Sequence, residues 1–127
     1  MAFFICMFIC NMLIPLAMLI GGYCMYKHPP KKINGSVGYR SAMSRKNMDT
    51  WLFAHDYCGH LWLKIGVIMV IATVILHIPF INSDTNTIGI FTLILVTVQT
   101  AVLLLSIPPV ERALMRIFDA DGNRISQ

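Results

Sequence analysis

The sequence predicts an all-α fold: a multi-pass membrane protein with three transmembrane helices and a basic cytoplasmic loop leading into an amphipathic, juxtamembrane helix. Three observations carry this. Residues 2–26, 65–81 and 88–110 are apolar runs without Asp, Glu, Lys or Arg, each close to or above the ~20 residues a helix needs to cross a ~30 Å hydrocarbon core. The chain is 57% hydrophobic and 13% charged, against about 25% charged residues in ordinary soluble domains. A soluble domain of 127 residues would expose such runs on faces that its small core cannot cover. Third, the charge is placed asymmetrically. Lys27, Lys31, Lys32, Arg40, Arg45 and Lys46 all precede the first acid, Asp49, while the short link after the second run holds only Asp84. By the positive-inside rule the N-terminus lies outside, and both the first loop and the tail, with Arg112, Arg116 and Arg124, are cytoplasmic.

The elements follow in order within one domain, 1–127. The first span covers about 2–26, and Pro15 is expected to kink it by removing a backbone hydrogen bond. A cleaved signal peptide fits this run poorly, because it lacks a basic leading segment and is too long. Cys6 and Cys10, at i, i+4, share one helix face; with Cys24 and Cys58 they read as small, soft packing residues. Residues 27–60 form the cytoplasmic loop and interfacial helix. Pro29-Pro30 ends the first helix and Asn34-Gly35 marks a turn. Ser44 and Asn47 are both suitable helix N-caps. From Asn47 onward Trp51, Ala54 or His55, Cys58 and Trp62 recur at helical spacing. The second span covers about 61–81, the outer link 82–87 and the third span about 88–110, which Pro108-Pro109 should terminate. The tail, 111–127, holds a short amphipathic helix from Glu111 to Phe118 and then a polar turn.

Candidate chemistry is sparse. Ionisable side chains are nearly absent from the spans, and His77, the main exception, is a functional candidate. Its place near Pro79 favours snorkelling to the interface. Asn11 and Gln99 are expected to form interhelical hydrogen bonds. No carboxylate lies in a span, which argues against a pump or a transporter. His55, Cys58 and His60 resemble a metal set, but five residues on a helix turn about 140°, so the two histidines diverge. Asp119-Ala-Asp121-Gly-Asn123 lacks the spacing of a calcium loop. No metal or cofactor is therefore expected. An enzyme is not expected either, for want of an acid–base or nucleophile–base pair. The basic charge sits on a membrane-tethered loop without a nucleic-acid motif, so no nucleic-acid partner is expected.

Gly38-Tyr39-Arg40-Ser41, followed by Ser44, Asn47, Trp51, Ala54 and Gly59 ahead of a span, resembles the pattern of the SdpI family of small bacterial membrane proteins. That pattern has Thr where Ser41 stands, and often Asn where His55 stands. The ending Phe118-Asp-Ala-Asp-Gly-Asn-Arg124 is similar to a tail common in the family. The resemblance implies a location in the bacterial cytoplasmic membrane. It also implies a role in toxin immunity or envelope signalling, by non-covalent binding of a protein or lipid. The alternative is an accessory or scaffold subunit of a larger membrane complex, such as a transporter. The residues singled out for binding are Gly38, Tyr39, Arg40, Ser41, Asn47 and Trp51. The Arg40 fork suits a lipid phosphate or a partner carboxylate. Expected partners are the bilayer and its anionic headgroups; the resemblance adds a peptide toxin or a cytoplasmic regulator, and a homo-oligomer is compatible with the sequence.

Overall fold

The computed structural model describes residues 1–34 and 38–125. It is all-helical, with α1 at Ala2–Lys27, α2 at Met48–His77, a 3-10 turn at Ile78–Phe80, α3 at Thr85–Leu105 and α4 at Ile107–Ile117. Three segments are long and apolar enough to cross a membrane: Ala2–Lys27, Met48–Phe80 and Thr85–Ile117. Burial is inverted relative to a soluble bundle. Ile5, Ile9, Ile68, Ile75, Leu93 and Ile94 face outward, while Asn11, Thr73, His77 and Gln99 are at most 3% exposed. Polar groups inside and aliphatic groups outside define a membrane-embedded bundle.

The interfacial helix runs straight into the second span as one continuous α2 of 30 residues, about 45 Å long. It starts after Asn47, as the capping signal predicts; Ser44 is not a cap but lies buried in the preceding turn. The third span starts earlier than expected, at Thr85, and ends at Leu105 rather than Val110. Pro108-Pro109 do end it, but earlier than expected, because they themselves stand in the first turn of α4. The reason is local. Prolines at 108 and 109 cannot donate to the carbonyls of Leu104 and Leu105, so α3 stops before them, and the next helix accepts them where no donor is needed. Ser106 fills the break. Its Oγ donates to Leu103 O at 2.6 Å and accepts from Trp62 Nε1 at 2.9 Å, which ties the α3–α4 corner to α2.

Pro15 lies buried inside an unbroken α1. It cannot donate to the carbonyl of Asn11 four residues earlier, and Gln99 Nε2 donates to that carbonyl instead, at 2.9 Å. The same Nε2 reaches Thr73 Oγ1 at 3.1 Å. Asn11 Nδ2 approaches His77 Nε2 at 3.0 Å, and His77 Nδ1 lies 2.7 Å from Thr73 O. A backbone carbonyl only accepts, so Nδ1 carries the proton and Nε2 accepts from Asn11. His77 is therefore not snorkelling. It is 2% exposed, edge-on to Phe4, Phe8 and Phe91. Its distance from the helix end matters less than the amide facing it, which satisfies Nε2 inside the bundle. Asn11 and Gln99 do join helices, as expected.

Glycines set the α1–α2 spacing. A Cβ on Gly22 would lie 2.9 Å from Gly59 O, and one on Gly59 would lie 2.7 Å from both Gly22 O and Tyr26 N. The backbones touch at this crossing, as small residues permit in membranes. The cysteines depart from expectation: Cys6, Cys10 and Cys24 are exposed on α1, and only Cys58 is buried. An α1 stripe already filled by Asn11, Pro15, Met18 and Gly22 leaves these thiols off the packed face.

The freed Asn11 carbonyl gives a test. Gln99→Leu should destabilise the protein by about 1–2 kcal/mol. The cost should shrink in a Pro15→Ala background, where residue 15 regains an N–H for that carbonyl. Thermal unfolding of the four chains in one detergent measures the coupling, and additive losses would exclude the pairing.

Candidate binding site at the loop end

The segment between α1 and α2 is held by hydrogen bonds that converge on His55. His55 is fully buried, one turn after Trp51. Its Nδ1 lies 2.7 Å from Trp51 O, and its Nε2 lies 3.0 Å from Tyr39 N. The carbonyl fixes the proton on Nδ1, so Nε2 is the acceptor for the Tyr39 N–H. Gly38 makes this possible. Its φ is +95°, a region that L side chains rarely adopt, and a Cβ there would collide with His55 Nε2. The glycine is therefore required twice, for backbone conformation and for space.

Trp51 sits behind this contact with no exposed surface. Its ring lies 4.3 Å from that of His55, and its Nε1 donates to Pro30 O at 2.8 Å. The Tyr39 hydroxyl donates to Glu111 Oε1 at 2.6 Å, joining the loop to α4. Burial, then the hydrogen bond and charge of Glu111, holds the Tyr39 phenol well above its ordinary pKa, so it stays a donor. Ser44 Oγ donates to Ser41 O at 2.9 Å, and Ser44 N donates to Ser41 Oγ at 3.1 Å, which closes the turn after Arg40.

Asn47 has a different task. Its side chain accepts from Thr50 N at 2.9 Å, and Thr50 Oγ1 accepts from Asn47 N at 3.1 Å, which is a reciprocal cap. Asn47 Nδ2 also donates to Gly122 O at 2.6 Å. The tail folds back as a polar turn in which Asp119 Oδ1 accepts from the amides of Asp121 and Asn123. Beyond the turn, Arg124 grips Asp49 through two 2.8 Å hydrogen bonds.

Gly38, Tyr39, Arg40 and Ser41 line one cavity of about 620 Å³. Its other walls are Gly21, Cys24 and Met25 of α1, Trp62 of α2 and Ile107 at the start of α4, with His28 and Pro30 beside them. The walls are mainly apolar, and Arg40 and His28 are exposed. The volume lies within the ~300–1,000 Å³ range of small-ligand sites, which are typically apolar with a few polar groups. Four of the six expected binding residues thus meet in one place. Trp51 does not line the cavity but supports the Pro30 wall. Asn47 is a helix cap and tail anchor.

Several cavity and support residues escape sequence reasoning. His55 reads there as a polar departure from the family pattern, yet it is the acceptor that orients Tyr39. Glu111 carries a weak signal, being the one carboxylate of α4. Cys24, Met25 and Trp62 read as span or belt residues, because their meeting depends on how α1 crosses α2.

The fold and this site define a small, three-span helical membrane protein whose loop closes a cavity at one end of the bundle. The SdpI/YfhL protein family model matches residues 31–109, from the loop through the third span, and the chain belongs to that family. The matched stretch contains the Gly-Tyr-Arg-Ser motif, while Phe118–Arg124 lies outside it. No curated protein and no solved structure matches the chain.

Two substitutions test the architecture. Gly38→Ala should cost about 1–3 kcal/mol through strain at positive φ, and more through the clash with His55. Tyr39→Phe should cost about 1–2 kcal/mol by leaving Glu111 without its donor. Thermal midpoints in detergent read both, and an unchanged midpoint for Gly38→Ala would overturn the assigned loop geometry.

Proposed function

We propose that this SdpI/YfhL-family protein acts by non-covalent binding at the loop-end cavity, in toxin immunity or envelope signalling. The loop end then lies in the cytoplasm of a bacterial cell, and the N-terminus and the link between α2 and α3 face outward. The observation that carries the reading is the gathering of Gly38, Tyr39, Arg40 and Ser41 on one cavity. In this reading the family motif is a structural turn that also borders the ligand. Its backbone and Tyr39 are tied to α2 and α4, while Arg40 reaches the cavity rim.

Such a cavity suits a ligand with an apolar body and an anionic end. The apolar body lies against Met25, Trp62 and Ile107, and the Arg40 fork meets a carboxylate or phosphate. The positive charge of Lys27, Lys31, Lys32 and Arg45 favours the same sign of partner at longer range. The reading involves no covalent step.

The test is protection of a sensitive bacterial host against secreted membrane-active toxins. Wild type, Arg40→Ala and Cys24→Trp, the last filling the cavity from α1, are compared at equal membrane levels. Protection by wild type and its loss in both variants is the expected result, each ~1.4 kcal/mol of lost binding weakening the Kd about tenfold. Protection retained in both variants would refute the cavity as the site. No protection by wild type against any toxin would favour an accessory subunit of a larger membrane complex, which crosslinking from Cys24 would then identify.

A further inference from the structure

A second cleft lies on the outer face of α4, apart from the cavity just described. It has a volume of about 490 Å³ and is lined by Tyr57, Pro109, Arg112, Met115 and Arg116. Arg112 and Arg116 are one helical turn apart, so they project from one face of α4. Both are exposed, and neither forms an ion pair among the described residues, where the ion pairs are Asp49–Arg124 and Asp56–His60. Two guanidiniums sharing a cleft without a carboxylate repel one another, and an anion held between them removes that repulsion.

The position of α4 fixes what kind of anion. α3 has 21 residues and is about 31 Å long, the thickness of the hydrocarbon core. It is followed by the single residue Ser106 and then by α4, so α4 begins at headgroup depth. Val110, Ala113 and Leu114 are buried, and Val110 and Leu114 pack in one cluster with Ala54 and Cys58 of α2. That leaves the arginine face toward the membrane surface. Met115, 60% exposed, and Pro109 add an apolar edge beside the two cations. Tyr57 supplies a half-buried ring, stacked on Phe53 with centroids 6.0 Å apart.

We infer that this cleft binds the phosphate of an anionic phospholipid headgroup, clamped by Arg112 and Arg116 with Tyr57 as a side wall and the lipid's glycerol end against Pro109 and Met115. The site is independent of the loop-end cavity, so either can fail without the other. Arginine suits it better than lysine because each planar fork can meet two phosphate oxygens.

The full chain in detergent, delipidated and then given equal phosphatidylglycerol and phosphatidylcholine, is read by native mass spectrometry. Wild type should retain phosphatidylglycerol in preference to phosphatidylcholine. Arg112→Gln/Arg116→Gln should lower that retention by on the order of tenfold or more. Met115→Glu, which places a carboxylate in the cleft, should do the same. Lys46→Gln/Lys64→Gln removes the same charge from exposed positions outside both cavities and should leave retention unchanged; all variants are compared at matched thermal midpoints. Equal loss in the lysine variant would overturn the proposal in favour of a diffuse charge effect. Retention in the arginine variant would overturn it directly. Displacement of bound lipid by millimolar inorganic phosphate would reassign the cleft to a free anion.

Discussion

The bundle depends on one backbone carbonyl. Within a membrane every N–H and C=O must find a partner inside the protein, because the surrounding hydrocarbon offers none. Pro15 breaks that rule locally by withholding a donor from Asn11 O. Gln99, arriving from α3, restores it at 2.9 Å. The amide that serves α1 also reaches Thr73 of α2, and the Asn11 side chain reaches His77. Three helices thus meet through a set of groups that would each be costly alone in lipid. Aliphatic contact gives little preference between a helix and a lipid tail. These polar contacts fix which faces of α1, α2 and α3 meet. The Gly22–Gly59 crossing then brings α1 and α2 close enough for side chains as short as Asn11 and Thr73 to take part.

The loop end is organised by a second histidine working in the same way. His55 and His77 each place Nδ1 against the carbonyl one turn earlier, Trp51 O and Thr73 O respectively. Each thereby presents a bare Nε2 to a donor from another segment. At His77 the donor is a side-chain amide on α1; at His55 it is the backbone of Tyr39. Tyr39 carries the connection onward to Glu111, so α2, the loop and α4 share one chain of hydrogen bonds beside the cavity. Arg40 follows Tyr39 directly and inherits its position from a backbone held at both ends.

Much of this was legible in the sequence, for reasons that differ by element. The spans show through because about 20 uncharged residues have few other uses. The start of α2 shows through because Asn47 is a local N-cap signal that needs no tertiary information. Gly38 to Ser41 were found through the family pattern, and the structure gives that pattern a physical content in the positive φ of Gly38 and the fit against His55. The end of α3 differs because the sequence carries the span up to the prolines, whereas the carbonyls they fail to serve lie four residues earlier. His77 was misread because its distance from the helix end is a sequence property, whereas its partner Asn11 is 66 residues away. The cavity itself was invisible, since its walls come from α1, α2, the loop and α4.

The tail docking has a different character from the contacts at the other end. Arg124 and Asp49 are both largely exposed, and an exposed pair is weakened by dissolved ions. The Asn11–Gln99–His77 group is enclosed by hydrocarbon and rings, where ions do not penetrate. One end of the molecule therefore answers to the ionic composition of the water beside it. The other answers to the thickness and packing of the bilayer. A change in either surroundings reaches the protein at a separate place.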